Sequence, residues 1–172
     1  WEEDFTVKEL EKKLSNMFGM ESGLFCPSGT MTNQIAIRVH TKIGDQIVCE
    51  SLSHIYNYEG GGAASNSGVS IKLINGDFGR MSLDQIKSSI NPDDLHYPRT
   101  KLIALENTCN KGGGSCYDMG AILEISDFCR ERKLGIHLDG ARIFNALMAT
   151  NQNPIEYGKA FEDPMRRTPG ID

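Results

Sequence analysis

The residues best suited to chemistry are the acid and the bases of His137-Leu138-Asp139-Gly140-Ala141-Arg142. Asp139 ends a short apolar run that predicts a strand, and Gly140 permits an abrupt turn after it. A carboxylate at a strand end can reach a ligand, with the guanidinium of Arg142 three residues further on. The same two side chains also suit a local ion pair without a ligand. His137 shares a strand face with Asp139, and we expect it to support the core.

Two further polar groups follow predicted strands. Ser28-Gly29-Thr30 opens a predicted helix, where free N–H groups, a glycine and two hydroxyls suit a phosphate. The alternative is an ordinary helix cap. His54 comes shortly after the strand that ends at Glu50. It suits acid–base work or stacking against a planar ligand, with a partly buried structural role as the alternative.

Cys109 belongs to a third polar group, Glu106-Asn107-Thr108-Cys109-Asn110, which leads into three glycines. No Lys-Ser/Thr pair follows those glycines, so the segment is not a P-loop. The chain has 5 cysteines, an odd number, and no C-x-x-C spacing. This pattern argues against a zinc site or a disulfide framework and predicts reduced thiols in a cytoplasmic protein.

These groups require a scaffold in which helices and strands alternate. Strands are predicted at Gly23–Cys26, Gln46–Glu50, Val69–Ile74, Lys101–Leu105 and Ile136–Asp139. Helices are predicted at Val7–Phe18, Ser28–Val39, Ser82–Ile90, Met119–Lys133 and Ala141–Met148, the first and third opened by capping boxes at Thr6–Glu9 and Ser82–Gln85. The alternation predicts an α/β fold with a mostly parallel sheet and helices on both faces. Ligands of such sheets bind beyond the carboxyl ends of the strands.

The composition is that of an ordinary globular chain. Its 172 residues include 18 Lys and Arg against 23 Asp and Glu, a net charge of −5. This balance argues against nucleic-acid and membrane-surface roles. No apolar run approaches the roughly 18 residues of a membrane helix, and we recognise no secretory signal. Residues 163–172 hold two prolines without periodicity, so we expect a divergent, disordered tail.

Taken together, the motifs resemble the pyridoxal-phosphate-dependent threonine aldolases of the β-eliminating lyase group. The matching stretches occur in that family's order and at about its spacing: Phe25–Gln34, Ser53–Ile55, Gly76–Asp77, Leu105–Thr108 and His137–Arg142. The resemblance covers residues 1–162 and implies a partial, truncated large domain of a fold type I enzyme. In that fold a mainly parallel, seven-stranded sheet binds pyridoxal 5'-phosphate.

The resemblance also implies a role for each polar group. Ser28-Gly29-Thr30 would hold the cofactor phosphate, and His54 would stack on the pyridine ring. Asp139 would face the ring nitrogen, and Arg142 would lie near the ring oxygen and the substrate carboxylate. The implied reaction is a retro-aldol cleavage of L-threonine or L-allo-threonine to glycine and acetaldehyde. The implied partners are a small amino-acid substrate and, in the full-length form, a dimer or tetramer of identical chains.

The sequence departs from the family in three ways. It lacks the family's Schiff-base lysine, expected in a Ser-x-Lys-Gly segment about thirty residues after Asp139, and Lys159 is the nearest lysine, in a different context. It also lacks an early Arg-Ser-Asp-Thr segment and the small C-terminal domain. Cys109 stands where many members have a histidine that helps handle the substrate hydroxyl.

We therefore assign Cys109 to the catalytic set with His54 and Asp139. Two alternatives stay open. One is a β-eliminating lyase that uses the same cofactor. The other is a non-catalytic remnant or scaffold without the lysine.

Overall fold

The structure is a computed structural model, and it describes residues 4–162. Four parallel strands form its sheet: β1 (Gln46–Glu50), β2 (Ser70–Ile74), β3 (Thr100–Glu106) and β4 (Gly135–Asp139). Their spatial order is β2-β1-β3-β4, so β1 and β3 are central and β4 lies at one edge. The predicted parallel α/β architecture is confirmed, since all three neighbouring pairs are parallel.

Helices connect and cover the strands. Within residues 4–162 they are α1 (Phe5–Phe18), α2 (Gly29–His40), α3 (His54–Asn57), α4 (Gly62–Ser67), α5 (Leu83–Ser89), α6 (Met119–Arg132), α7 (Ile143–Thr150) and α8 (Pro154–Phe161). The sequence did not predict α3, α4 and α8. The signal for α8 is present, because Asn153 caps the helix and Pro154 occupies its first turn.

Successive residues of β3 point to opposite faces of the sheet and divide the core in two. Leu102 and Ala104 pack with Ile37 of α2 in one cluster. Ile103 and Leu105 pack on the other face with helices that include α5 and α6. Leu102 and Ile103 are both completely buried. Helices therefore cover both faces of the sheet, as predicted.

The predicted strand at Gly23–Cys26 is wrong. The segment has no regular secondary structure, and the side chains of Leu24 and Phe25 are 72% and 49% exposed. It is fixed instead to α1, where the Glu11 carboxylate accepts the Phe25 N–H at 2.7 Å. A strand requires a neighbour with which to exchange backbone hydrogen bonds, and no strand of residues 4–162 pairs with this segment.

The predicted helix starts are partly correct. The capping box at Ser82–Gln85 is confirmed, with both reciprocal hydrogen bonds present. At α1 the cap is Asp4 rather than Thr6, since the Asp4 carboxylate accepts the N–H groups of Thr6 and Val7 at 2.9 and 3.1 Å. Thr6 consequently lies inside the helix.

Four further predictions from the sequence concern the tail, the number of strands, membrane-spanning helices and the cysteines. The tail predicted at 163–172 lies outside the described residues. Four strands of the seven implied by the resemblance are present in residues 4–162. Across the same span, no helix is long and apolar enough to cross a membrane. All five cysteines carry free thiols.

Candidate functional site

Three buried acids lie at the carboxyl edge of the sheet, because parallel strands end on the same side. Glu50 ends β1, Glu106 ends β3 and Asp139 ends β4, with exposures of 3%, 5% and 8%. Glu50 accepts the Gly76 N–H at 2.9 Å. Glu106 accepts the N–H groups of His54 and Asn110 at 2.8 and 3.0 Å. The first two acids therefore hold the loops around the site.

Asp139 is held differently, by a side chain from helix α2. Asn33, buried one turn into α2, donates its amide to Asp139 Oδ2 at 2.9 Å. Asp139 Oδ1 accepts the Ala141 N–H at 3.1 Å. Both oxygens are thus oriented by neutral donors, and neither is neutralised by a Lys or Arg of residues 4–162.

A second buried carboxylate, Glu59, shares the same amide. Asn33 Nδ2 donates to Glu59 Oε1 at 2.8 Å as well as to Asp139. Glu59 Oε2 accepts from Gln34 at 2.6 Å, and the carboxylate side chain is completely buried. The two carboxylates repel each other, and no Lys or Arg of residues 4–162 forms a salt bridge with either of them.

His54 lies directly against the Glu59 carboxylate. Its Nδ1 lies 3.1 Å from Glu59 Oε1, and its side chain is 40% exposed. A carboxylate at Nδ1 holds the proton there, which leaves Nε2 to face other groups. The ring also lies 5.4 Å from that of Tyr58, in a tilted arrangement. His54 thus combines a fixed tautomer with an accessible ring.

His137 determines which way the Asn33 amide points. Burial lowers the pKa of His137 to about 4, while the nearby Asp139 acts in the opposite direction. The imidazole is therefore neutral at pH 7, and its Nε2 lies 2.9 Å from Asn33 Oδ1. When Nε2 carries the proton, Oδ1 accepts it and the amide NH2 turns toward the two carboxylates. His137 supports the core, as the sequence predicted, and also orients this network.

Ser28-Gly29-Thr30 forms the start of α2, on the same helix as Asn33. Ser28 caps the helix, its hydroxyl accepting the Met31 N–H at 3.2 Å. The N–H groups of Gly29 and Thr30 have no acceptor within the helix. A Cβ atom placed on Gly29 would meet no atom within 4 Å, so a ligand has room there. The predicted helix cap at Ser28 is therefore confirmed, and phosphate binding by this segment stays a prediction.

Arg142 and Cys109 are not joined to this network by any hydrogen bond between described residues. Arg142 is exposed, and no salt bridge in the described span connects it to Asp139. The local ion pair considered from the sequence is therefore not formed. Cys109 is 1% exposed and packs against Gly79, and burial raises its pKa.

Two lysines are relevant to the Schiff-base lysine that the resemblance implies and that the sequence lacks. Lys159 is exposed on α8, and its carbonyl accepts a hydrogen bond from Arg130 of α6. Lys111, which the sequence analysis did not single out, has its Nζ 5.4 Å from the centre of the Tyr58 ring. Because Tyr58 lies beside His54, these ring contacts link Lys111 to the site. Among the described residues, Lys159 has no ring contact with His54 or Tyr58.

His54, Glu59 and Asp139 also place ligand atoms within 4.8 Å of one another, as a metal site requires. Their hydrogen bonds favour a different reading. The Asn33 amide already donates to both carboxylates from between them. Both carboxylates accept hydrogen bonds, so the site is instead complementary to an organic cation that donates a hydrogen bond to Asp139. A protonated pyridine nitrogen fits that description.

Sequence reasoning missed Asn33 and Glu59. Asn33 lies in a helix with mixed polar and apolar positions, where a polar residue predicts a solvated face. Glu59 precedes three glycines, where an acid predicts a surface loop. The buried amide and carboxylate are recognisable only once α2 and the loop after α3 meet over the strand ends.

Comparison with known proteins gives consistent results. The family model described as β-eliminating lyase matches residues 1–165. The low specificity L-threonine aldolase of Escherichia coli (strain K12) is 38% identical over 148 residues, which are 86% of this chain and 44% of that protein. The low specificity L-threonine aldolase of Saccharomyces cerevisiae is 39% identical over 166 residues, which are 93% of this chain and 42% of that protein.

A solved structure extends the comparison to the fold. The threonine aldolase of Leishmania major matches with a TM-score of 0.77 at 23% identity, over 87% of this chain and 44% of that one. At this identity the match shows a common fold. The chain spans 44% and 42% of the bacterial and yeast relatives, so the matched part is less than half of each.

Proposed function

The chain belongs to the β-eliminating lyase family, and from this premise we propose that it is the cofactor-binding part of a threonine aldolase. The family and its threonine aldolases depend on pyridoxal phosphate. The proposed reaction breaks the Cα–Cβ bond of a β-hydroxy-α-amino acid, L-threonine or L-allo-threonine, and releases glycine and acetaldehyde. When bound, the cofactor supplies an electron sink for that cleavage.

One observation carries this proposal: two buried carboxylates share one amide and have no Lys or Arg counter-ion within residues 4–162. Asp139 and Glu59 are 8% and 7% exposed, and Asn33 bridges them. Burying carboxylates without a cation is unfavourable unless a positively charged ligand belongs there. A protonated pyridine ring meets that requirement, and Asp139 would keep its nitrogen protonated.

The other side chains fit complementary parts of the same cofactor. The N–H groups of Gly29 and Thr30, with the Ser28 hydroxyl beside them, would bind the phosphate at the positive end of α2. The accessible ring of His54 would stack on the pyridine. Arg142, exposed and outside every salt bridge of the described span, would be available to a carboxylate of the substrate.

His54 is better placed than Cys109 to take the proton of the substrate hydroxyl. Glu59 holds the Nδ1 proton of His54, so Nε2 can accept another. Cys109 is buried against Gly79, and burial raises its pKa, so its thiol stays protonated at pH 7. We therefore propose a structural role for Cys109 and a proton-accepting role for His54.

We also propose that the whole enzyme is a cytoplasmic homo-oligomer. The thiols are free, as in proteins of reducing compartments. Large apolar side chains stay exposed in α1, in the segment after it and in α7, including Phe5 at 72%, Leu24 at 72% and Met148 at 84%. Apolar side chains of this size are commonly covered by another subunit.

A cofactor titration of the 172-residue chain tests the proposal. Pyridoxal phosphate is added, and binding is followed by its absorption and by quenching of protein fluorescence. We expect saturable binding in the parent, and about tenfold or weaker binding in Asp139→Asn, because Asn has the same shape without the charge. Asp127→Asn, on the exposed face of α6, is the matched control.

The outcomes separate the readings. Equal affinity in Asp139→Asn and Asp127→Asn would assign Asp139 a structural role. No saturable binding in the parent would favour the scaffold reading. Release of acetaldehyde from threonine, with no pyruvate from serine, distinguishes the aldolase from a β-eliminating lyase.

A further inference from the structure

A cavity lies at the opposite edge of the sheet from the candidate site, where the strands begin. It has a volume of about 640 Å³ and is lined by segments that precede β1, β3 and β4. A cavity of this size accommodates a nucleotide-sized ligand. The site described above lies at the carboxyl ends of the strands, so the length of the strands separates that site from this cavity.

The side chains that line this cavity reverse the charge balance of the chain. Its charged and titratable lining residues are His40, Lys42, Arg99, Lys101, Lys133 and Asp45. The chain as a whole has 23 acidic and 18 basic residues, whereas the cavity has one acid and four Lys or Arg. We name it the amino-edge groove.

The single acid of the groove is committed to its own turn. Asp45 Oδ2 accepts the Lys42 N–H at 2.8 Å, and the Asp45 N–H donates to the Lys42 carbonyl at 3.0 Å. No salt bridge within residues 4–162 uses Lys42, Arg99, Lys101 or Lys133. The four cations therefore have no protein counter-ion among the described residues.

Helix dipoles account for only part of this charge. His40 ends α2 and Lys133 caps α6, and cations are favoured at both positions without any ligand. Arg99 and Lys101 flank the first residue of β3 and adjoin no helix. Arg99 is held in place through its carbonyl, which accepts the Gln46 N–H of β1 at 2.8 Å. These two cations are the part of the charge that the fold itself does not require.

We propose that the amino-edge groove binds a small anion with several linked phosphates. Four cations from three chain segments match a chain of phosphates better than a single carboxylate. Tyr97, 51% exposed in the same lining, offers an aromatic face to a nucleobase. A nucleoside triphosphate and inorganic triphosphate share the phosphate chemistry, and the ring of Tyr97 favours the nucleoside triphosphate. This site is independent of the proposed cofactor site.

Titration of the 15N-labelled chain with inorganic triphosphate and, separately, with ATP tests the proposal. Both are added at constant ionic strength, and backbone amide shifts are followed. We expect saturable shifts at Gly44 and Gly135, which line the groove, and tighter binding of ATP than of triphosphate. Shifts confined to Gly29 and Thr30 would place the anion at the cofactor site and overturn the proposal.

Paired variants supply the control. Arg99→Gln with Lys101→Gln removes the two cations that no helix explains, and we expect about tenfold weaker binding. Lys12→Gln with Lys13→Gln makes the same charge change on exposed α1, and we expect unchanged affinity. Equal loss in both double variants would show attraction to net charge alone, and absence of saturation in the parent would show no site. If adenosine binds as well as ATP, the phosphates do not contribute.

Discussion

The two edges of the sheet carry opposite charge in opposite environments. At the carboxyl edge, Asp139 and Glu59 are buried and held by neutral amides. At the amino edge, Arg99 and Lys133 are exposed and outside every salt bridge of residues 4–162. A buried acid fixed by hydrogen bonds acts through geometry, whereas an exposed cation acts through long-range attraction that salt screens. The same sheet thus has buried, hydrogen-bonded acids at one edge and exposed cations at the other.

This contrast has a cause in the backbone. The carboxyl edge receives the starts of helices such as α2, whose side chains reach back over the strand ends and enclose the acids. The amino edge receives the ends of α2 and α6, which leave their last residues in solvent. Burial at one edge makes each contact strong and sensitive to substitution, so the largest effects of mutation and pH are expected there.

The largest expected effect is the pH dependence due to His137. Burial lowers its folded-state pKa to about 4 from 6.5. Between these values the unfolded chain binds a proton that the folded chain does not, so the free energy of unfolding falls as the pH drops from 6.5 to 4. The full shift corresponds to about 3 kcal/mol.

Urea unfolding of the parent and of His137→Gln at pH 7.5 and pH 4.5 measures this contribution. Glutamine retains a donor for Asn33 Oδ1 but does not titrate. We expect the parent to lose about 2 to 3 kcal/mol more than the variant on acidification. Parallel losses in both proteins would contradict a neutral, half-buried His137 and weaken the contrast between the edges.

Glu59→Gln is expected to have the next largest effect. The carboxylate accepts hydrogen bonds from Asn33, Gln34 and His54. A glutamine amide places an N–H group against one of these donors, and a buried unsatisfied donor costs about 1 to 3 kcal/mol. Thermal or urea unfolding measures the loss, with Glu9→Gln on exposed α1 as the control. A loss of the same small size in both would mean that the Glu59 network contributes nothing to stability.

The smallest effect separates two matched helix caps. Ser28 and Ser82 each accept a backbone N–H three residues ahead at 3.2 Å. Replacing either with alanine should lower the free energy of unfolding by about 1 kcal/mol. Only Ser28→Ala should also weaken binding of pyridoxal phosphate, since Ser82 begins α5, away from the proposed phosphate cradle. Equal cofactor affinity in the two variants would remove Ser28 from the site.

Local patterns predicted the elements that form from local interactions. The strands at Gln46–Glu50 and Ile136–Asp139, and the box at Ser82–Gln85, follow from alternation, apolar runs and caps. The prediction for Gly23–Cys26 was wrong because its strand-like composition finds no neighbouring strand in residues 4–162. A strand is a property of a pair, which a single segment does not reveal.

Individual residues of the candidate site could be predicted from the sequence, but the hydrogen bonds that join them could not. Asp139, His54 and Ser28 follow from the rule that ligands bind at the carboxyl ends of parallel strands. The hydrogen bond from Asn33 to Asp139 joins residues 106 positions apart, and Glu59, the other acceptor of the Asn33 amide, lies in a loop. Such contacts depend on how α2 packs over the sheet, which no local spacing encodes.

Strand β4 has a consequence for handling the protein. Its outer edge has no strand partner among the described residues, while its inner edge pairs with β3. An open edge offers a row of backbone donors and acceptors to any extended chain. One candidate for such pairing is the extended segment of a second copy that contains the exposed Leu24 and Phe25. Concentrated solutions of the 172-residue chain should therefore self-associate by strand addition. A soluble preparation depends on covering that edge or on keeping the protein dilute.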